Sequence, residues 1–433
     1  MSYEKPVPPK GSTRYVELIE CQMFMRQAFL LLVSLFACAS LCAQDRTLRV
    51  DYIFSGTDKE VEISLDEMSS FDGWAGRRVN LDKVPVRGNG QICMTDLQTG
   101  DTLYRLSFST LFQEWQTTEE ATRVRKSFEN VFLLPMPSAS ADIRIELYDV
   151  LGNISGTMHH QVDPQDILIR RVDPAPVPHK YIVASGSPEE CIDVAIVAEG
   201  YTADEMDRFY EDAKDAVMAI LSHEPFGQYK NCFNFVAVAL ESDDSGVSVP
   251  GEGEWKNTAL KAHFNTFYMD RYLTTLRLKN MHDRLCGIPY EHIVILANTD
   301  TYGGGGIYNS YTLTTAHHSA FRPVVVHEFG HSFAGLADEY YYDDQYVEFY
   351  YPDCEPWEQN ITTLADFDSK WKDMLDEGKA ELLEGAGYQS KGVYRPAKDC
   401  RMHTNKADNF CPVCQRAIGR IIEFYTGRTI SCY

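Results

Sequence analysis

The chain has 433 residues, of which 44% are hydrophobic and 24% are charged. These proportions are typical of a soluble globular protein with two or three domains, and they exclude a fibrous or an intrinsically disordered chain. The 63 acidic residues outnumber the 40 basic residues and give a net charge of −23. Because such a surface repels phosphate groups, we expect neither nucleic acid nor an anionic membrane surface as a partner.

The first 43 residues have the pattern of an export signal. Arg26 precedes an apolar run at 28–37 that is too short to span a membrane, and small residues follow up to Ala43. We therefore expect residues 1–43 to be removed, leaving a secreted or periplasmic protein that has no membrane span. A lipid anchor on Cys38, which would hold the protein at the cell surface, is the alternative.

Nine of the twelve cysteines follow this signal. An odd number of cysteines cannot all pair within one chain, and nine are too few for a disulfide framework in a chain of this length. We expect one or two disulfide bridges near the C-terminus and several buried free thiols.

Residues 44–172 contain short segments in which apolar and polar side chains alternate. Alternation with a period of two, interrupted by turn residues, predicts antiparallel strands. The segments are 48–54, 61–65, 131–134 and 143–147. Two such sheets bury their apolar sides by packing face to face, so we predict an antiparallel β-sandwich domain. We expect it to act as a scaffold or in recognition, because it holds no cluster of catalytic side chains.

Residues 191–433 alternate between strand and helix patterns, which predicts a mixed α/β catalytic domain and an α+β two-domain protein overall. Three prolines between 173 and 178 restrict the backbone, and we place a linker at 173–190. The strands expected in the catalytic domain are 192–198, 233–239, 292–297 and 310–315.

Two regions of this domain are expected to be helical before its chemical motif is reached. One is 202–220, where Thr202 and Glu205 form a capping box at the helix start. The other comprises stretches between about 260 and 285.

Four glycines at 303–306 precede the strand at 310–315. The segment lacks the lysine of a phosphate-binding loop, so we expect no nucleotide there. A glycine turn leading into an edge strand that pairs with an extended peptide fits the pattern better.

A metal-binding pattern is present in the sequence His327-Glu-Phe-Gly-His331. Pro323 and Gly335 bound this segment and predict a helix, on which the two imidazoles lie on one face and can bind one zinc ion. Zinc polarises a substrate carbonyl and acidifies water, and Glu328 is placed to take the proton of that water as the general base. We therefore predict a zinc metalloendopeptidase that acts on protein or glycoprotein substrates.

A catalytic zinc ion takes three protein ligands and leaves one position open. Asp338 is the leading candidate for the third ligand, because it stands seven residues after His331 and just past the glycine that ends the helix. Glu339 is the alternative. Either carboxylate can instead orient one of the two histidines.

A second cluster of metal-ligand residue types follows near the C-terminus. Cys400-x-x-His403 and Cys411-Pro-Val-Cys414 have the composition of a small structural zinc knuckle. We place this interpretation behind disulfide formation, because the gap between the two pairs is short and export favours disulfides.

The sequence around the metal-binding pattern is long and specific: residues 327–340 read His-Glu-Phe-Gly-His-Ser-Phe-Ala-Gly-Leu-Ala-Asp-Glu-Tyr. Shorter supporting segments are 194–201, 225–226, 242–246, 302–306 and 410–414. Over about residues 190–430 the chain thereby resembles the IgA-peptidase family of metzincin-like zinc metallopeptidases.

This resemblance implies a metzincin-like catalytic domain of the zincin type behind an N-terminal β-sandwich. It matches His327 and His331 with the zinc histidines and Glu328 with the catalytic base. Asp338 corresponds to the third ligand, and Met402 corresponds to the methionine of the turn beneath the metal.

The chain departs from the usual metzincin pattern near the third ligand. Gly335 lies four residues after His331 rather than three, and an acidic residue stands where a third histidine is common. Thr404 occupies the position of a tyrosine that follows the methionine in some relatives, so Tyr340 or His403 is the candidate for stabilising an oxyanion.

Two other functions remain open from the sequence. In the first, the β-sandwich binds glycans or cell-surface proteins and the zinc domain is catalytically degenerate. In the second, the chain is a zinc amidase that acts on cell-wall peptides. The family resemblance does not define the natural substrate, so cleavage of IgA is one possibility among several.

Overall fold

The computed structural model describes residues 1–4, 46–343 and 349–429. The predicted export signal, apart from its first four residues, lies outside this part of the chain. Within the described residues, no helix combines the length and the apolar character needed to cross a bilayer.

The N-terminal half forms two four-stranded sheets, with strand orders β5-β1-β2-β8 and β4-β3-β6-β7. The strands are β1 (Arg46–Gly56), β2 (Val61–Asp72), β3 (Gly90–Asp96), β4 (Thr102–Phe108), β5 (Lys126–Pro135), β6 (Ala141–Tyr148), β7 (Ile154–Val162) and β8 (Arg170–Arg171). The predicted segments lie within β1, β2, β5 and β6, and their antiparallel pairing is confirmed. Strands β3, β4 and β7 escaped prediction because they are short or carry polar residues on their exposed sides.

A six-stranded sheet forms the centre of the C-terminal half, in the order β13-β14-β12-β10-β11-β9. Its strands are β9 (His179–Val183), β10 (Ile192–Glu199), β11 (Phe233–Val238), β12 (His292–Ala297), β13 (Gly304–Ile307) and β14 (Tyr311–Thr315). The four inner strands are parallel, and the two outer strands are antiparallel to their neighbours. Strand β9 belongs to this sheet although it lies within the segment predicted as a linker.

Six α-helices are present in the described residues: α1 (Leu111–Gln116), α2 (Met206–Leu221), α3 (Leu278–Leu285), α4 (Phe321–Ala334), α5 (Lys372–Asp376) and α6 (Pro412–Thr426). Short 3-10 helices are Glu120–Thr122, Ala203–Glu205, Lys230–Cys232, Pro250–Glu252, Thr266–Tyr268 and Phe367–Ser369. A small third sheet, in the order β15-β17-β16, contains β15 (Tyr341–Tyr342), β16 (Leu383–Ala386) and β17 (Tyr388–Arg395). The capping box of Thr202 and Glu205 is confirmed.

The prediction of helical stretches between 260 and 285 is wrong for most of that range, since only α3 is an α-helix there. The physical reason is a buried carboxylate on β10. Glu199 accepts hydrogen bonds from the backbone N–H groups of Leu260, at 2.7 Å, and Ala262, at 2.8 Å. These tertiary bonds satisfy backbone N–H groups in a non-helical conformation, in which Lys261 has φ +52°, and they override the local helical pattern.

The six-stranded sheet is buried on both faces by two apolar clusters. Val194, Ile196 and Val294 pack with helices α2, α4 and α6 on one face. Ala195 and Ile295 face the other side, in a cluster that includes the core of both N-terminal sheets. Alternate side chains of a strand point to opposite faces, so each strand contributes to both clusters. The observed class is therefore mixed α/β with several sheets.

Polar contacts join the two halves directly. The N–H of Ser109 donates to the carbonyl of Tyr308 at 3.0 Å, and the side chain of Asn309 donates to the carbonyl of Ser107 at 2.8 Å. The N-terminal half thus packs against the end of β13 and the β13–β14 turn, next to the helix that carries the metal-binding pattern.

Candidate active site

Helix α4 carries the metal-binding pattern, and its sequence explains where it begins and ends. Pro323 lies in the first turn of α4. In the middle of this helix, valine and phenylalanine side chains are buried on several sides. Gly335 ends the helix with φ +60°, a conformation that favours glycine. The N–H of Gly335 donates to the carbonyl of His331 at 2.9 Å, and the N–H of Leu336 donates to that of Gly330 at 3.2 Å. The chain then reverses and brings the segment after the helix back beneath it.

Three predicted site residues come together after this reversal. The Nε2 atoms of His327 and His331 are 3.1 Å apart. Oδ1 of Asp338 lies 3.0 Å from the first Nε2 atom and 3.3 Å from the second. The carboxylate of Glu339 points elsewhere, towards Cys414 and Asn360. Of the two carboxylates considered for the third ligand, the structure places Asp338 with the histidines.

The hydrogen bonds of the two imidazoles fit a cation between them. Nδ1 of His327 is 2.9 Å from the carbonyl of Arg401, and Nδ1 of His331 is 2.5 Å from the carbonyl of Leu336. Because a carbonyl only accepts, each Nδ1 must carry a proton, and in the neutral imidazole each Nε2 presents a lone pair. Two lone pairs and the buried Oδ1 of Asp338, which accepts no well-directed hydrogen bond, therefore face one another. Two imidazoles and one carboxylate are a suitable set of ligands for zinc.

The electrostatics of this cluster also favour a positive charge. Burial lowers the pKa of His331, but the neighbouring carboxylate of Asp338 outweighs burial and raises this pKa to about 9. Burial would raise the pKa of Asp338, yet the two imidazoles hold it well below its usual range. Both shifts have the same cause, which is the attraction between the Asp338 carboxylate and a positive charge on the imidazoles beside it.

Asp338 is held in place by a residue that sequence reasoning missed. The hydroxyl of Tyr388 donates a hydrogen bond to Oδ2 of Asp338, on the side away from the histidines. The N–H of Gly387 donates to the backbone carbonyl of Asp338 at 2.9 Å. Tyr388 has φ +67°, which is uncommon for a tyrosine and costs about 1 kcal/mol or more. No motif marks this tyrosine, because it lies fifty residues away in the chain.

The side chain of Glu328 projects from helix α4 towards the glycine-rich strand β13. A Cβ atom at Gly304 would come within 3.0 Å of Cγ and Oε1 of Glu328, and one at Gly306 would lie 2.3 Å from the backbone oxygen of Glu328. The glycine run therefore permits a close approach of strand to helix. The prediction of a glycine turn before an edge strand at 310–315 is wrong, because most of the glycine run forms the outer strand β13 and the segment 310–315 forms the next strand inward, β14. Burial raises the pKa of Glu328, and the two imidazoles oppose this shift.

Met402 lies beneath the metal-binding pattern, as the resemblance implied. It is fully buried, and a Cβ atom at Gly330 would lie 2.8 Å from its sulfur atom. The glycine inside the pattern thus makes room for the methionine under the two histidines. The preceding residue, Arg401, supplies the carbonyl that orients His327.

Further side chains near the site come from outside every sequence motif. Glu114 of helix α1 accepts a hydrogen bond from the hydroxyl of Tyr272, and burial raises the pKa of this carboxyl group to about 7. The charges of His331, Glu328 and Asp338 also act on Glu114. The N-terminal half therefore contributes a charged group at the edge of the site.

The two candidates for stabilising an oxyanion lie in different places. The ring of Tyr340 is 5.4 Å from the ring of Tyr388, and the guanidinium group of Arg271 lies 5.9 Å from the centre of the Tyr340 ring. Nδ1 of His403 is instead 3.1 Å from the carbonyl of Lys398, and this histidine is not part of the His327 cluster.

Two predictions for the C-terminal cysteines need correction. All eight cysteines in the described residues are free, so the expected bridges near the C-terminus are not formed there. His403, a ligand in the alternative knuckle interpretation, lies outside the cysteine cluster, and its Nδ1 faces the carbonyl of Lys398. The donor atoms of Cys400, Cys411 and Cys414 come together with Glu339 in its place.

The sequence matches two models of known protein families. The model of the IgA Peptidase M64 family matches residues 181–382 and 380–422, which is more than half of the chain. The model of the Peptidase M64 N-terminus matches residues 40–158. No curated protein matches the chain. As the resemblance predicted, the chain belongs to the IgA peptidase M64 family and is a peptidase of the metallopeptidase type.

Proposed function

We propose that this protein is an exported zinc endopeptidase that hydrolyses peptide bonds in extracellular proteins or glycoproteins. His327, His331 and Asp338 hold the zinc ion, and Glu328 is the general base. The observation that supports this proposal is the convergence of two imidazole lone pairs and one buried carboxylate oxygen beside Glu328.

We also propose a metzincin-like zincin architecture for the catalytic domain, within residues 191–433, and a β-sandwich within residues 44–172. Met402 under helix α4 supports the first assignment. The shared apolar core of the two N-terminal sheets supports the second. The predicted export signal supports a location outside the cytoplasm.

The chemistry that a zinc ion supplies when bound is Lewis acidity, which polarises a peptide carbonyl and makes water a stronger acid. The protein's own residues do the rest. Glu328 accepts the proton of the attacking water on a carboxylate oxygen, and it later donates a proton to the leaving amine. Its raised pKa favours the second of these transfers. Tyr388 keeps Asp338 directed at the two histidines throughout.

Strand β13 is placed to bind the substrate as an additional strand. It is the outer strand of the sheet, and its glycines lie against Glu328. An extended peptide paired with this edge would pass the catalytic carboxylate, and backbone hydrogen bonds would hold it independently of its side chains. At Gly304 part of this edge is already bonded to the carbonyl of Arg271, at 3.3 Å. The proposed peptide therefore pairs with the part of β13 beyond this residue.

The test of this proposal separates metal binding from hydrolysis. Glu328→Gln should retain the zinc content of the wild type and lose hydrolysis of a protein or peptide library by a factor of about 100 or more. Glu119→Gln is the matched control, because that side chain is 84% exposed and lies outside the site. Zinc analysis and peptide-cleavage profiling, with and without a chelator, give the two readouts.

Two results would refute parts of the proposal. Turnover retained by Glu328→Gln would exclude this carboxylate as the base. A wild-type protein that holds zinc and cleaves nothing would instead indicate a binding module with a degenerate zinc domain.

A further inference from the structure

A second group of metal-binding residue types lies close to the candidate active site. Glu339, Cys400, Cys411 and Cys414 each direct one ligand atom into a single spot, with all four atoms within 4.8 Å of one another. The sulfur atoms of Cys400 and Cys414 are 3.7 Å apart, and the sulfur of Cys414 is 3.1 Å from Oε1 of Glu339. All four side chains are buried, and three of them have no exposed surface.

The carboxyl group of Glu339 is buried, and only one of its two oxygen atoms has a hydrogen-bond partner. Its Oε1 atom accepts a hydrogen bond from Asn360 at 3.0 Å, whereas Oε2 is buried and has no partner. Within the described part of the chain, no lysine, arginine or histidine forms an ion pair with it. A carboxyl group in such surroundings is either protonated or compensated by a cation or further donors.

We propose that Glu339, Cys400, Cys411 and Cys414 form a second metal site, which binds one zinc ion in a closed, four-coordinate structural arrangement. Thiolates together with one harder ligand are typical of structural zinc sites. Two sulfur ligands about 2.3 Å from a tetrahedral zinc ion lie about 3.8 Å apart. The observed separation of 3.7 Å between the sulfur atoms of Cys400 and Cys414 agrees with this value.

The surroundings of the four residues complete the site. The N–H of Cys411 donates to the sulfur of Cys400 at 3.2 Å. Asn360 donates to Glu339 and at the same time accepts the N–H of Ala337 at 2.8 Å through its Oδ1. Such outer contacts orient metal ligands and are typical of built metal sites.

A redox-active cysteine pair is a less suitable interpretation. The Cys411-Pro-Val-Cys414 sequence at the start of α6 has the spacing of a redox motif, but reactive thiols need access to solvent. These thiols are buried. A disulfide between two of the cysteines would also leave the third thiol and the carboxylate of Glu339 without a partner.

The proposed second ion would fix the parts of the chain that build the first site. Glu339 directly follows Asp338, and its N–H donates to the carbonyl of Met402 at 2.8 Å. Cys400 lies two residues before Met402, and Cys411 and Cys414 belong to the start of α6. One closed site thus joins the segment of the third ligand, the methionine turn and the C-terminal helix. Its role is structural, because it leaves no position open for a substrate.

The experiment measures zinc in the full-length protein and in a variant that leaves the cysteine cluster intact. The wild type should bind about two zinc ions per chain, and the combined His327→Ala and His331→Ala variant should retain about one. With cobalt in place of zinc, this double variant should show an intense thiolate-to-cobalt absorption. The additional change Cys414→Ser should remove that absorption, whereas Cys286→Ser, a buried thiol outside the cluster, should not.

The following results test the second metal site independently of the proposed peptidase function. A folded double-histidine variant without zinc would overturn the proposal, as would a disulfide between Cys400 and Cys414 found by mass spectrometry. These results do not depend on whether Cys414→Ser folds. A wild type that is active with one zinc ion, held by His327 and His331, would refute the second site and leave the proposed peptidase function intact.

Discussion

Replacement of Tyr388 by phenylalanine tests the proposed zinc site, because this substitution removes only the hydroxyl group of the side chain. In the folded protein this hydroxyl donates to Oδ2 of Asp338, which is 7% exposed. Hydrogen bonds to charged groups contribute about 1.5–3 kcal/mol. Tyr388→Phe should therefore weaken zinc binding by a factor of about 10–150. The bond is well shielded from water, which favours the upper part of this range.

The assay is a competition for zinc between the protein and a chromogenic chelator, with hydrolysis of a peptide library as the second readout. Tyr148→Phe is the matched control, because its hydroxyl donates to Glu146 at 2.9 Å in the N-terminal sheet, far from the site in the sequence. We expect the control to bind zinc like the wild type. Equal zinc affinity of Tyr388→Phe and the control would refute Asp338 as a ligand that Tyr388 positions.

Two further predictions concern the strand above the site and the carboxylate beside it. Gly306→Ala should destabilise the fold by about 1–3 kcal/mol and weaken zinc binding, because the new Cβ would lie 2.3 Å from the oxygen of Glu328. Gly392→Ala, where a Cβ meets open space but φ is +78°, should also destabilise the fold yet keep its zinc affinity, and equal zinc losses in a chelator titration would contradict the reasoning. Burial raises the pKa of Glu114 to about 7, so the metal-free protein should lose up to about 3 kcal/mol of stability as the pH rises from about 4.5 through 7. Glu114→Gln should remove this loss in urea unfolding near pH 5 and pH 8, and an unchanged difference would exclude Glu114 as its source.

Elements with a strong local pattern were predictable from the sequence. The strands 192–198 and 292–297 are apolar except for Asp193 and His292, and they form the buried centre of the sheet as expected. The capping box of Thr202 and Glu205 marked the start of its helical segment correctly. Between 260 and 277 the pattern failed, because the side chain of Glu199 takes up backbone N–H groups from a distant part of the chain. A tertiary bond of this kind has no local signature.

The residues of the candidate site also fall into two groups, because some were predictable from the sequence and others were not. His327, Glu328 and His331 follow from their spacing on one helix, and Asp338 follows from the glycine that ends it. Tyr388 was not predictable, since it reaches Asp338 through pairing of β15 with β17 and through an uncommon backbone conformation. Residues placed by strand pairing leave no spacing rule in the sequence.

Asp338 and Glu339 are adjacent in the sequence, but their carboxylates belong to two different clusters of ligand atoms. Gly335 ends helix α4, and in the non-helical chain that follows, neighbouring side chains point to different sides. Asp338 therefore faces the two histidines, and Glu339 faces the three cysteines on the opposite side. Spacing from the motif could not separate them, because the second partner set lies more than sixty residues further along the chain. If both clusters bind zinc, the two sites are joined by the single peptide bond between Asp338 and Glu339, so a substitution in one cluster is expected to affect the geometry of the other.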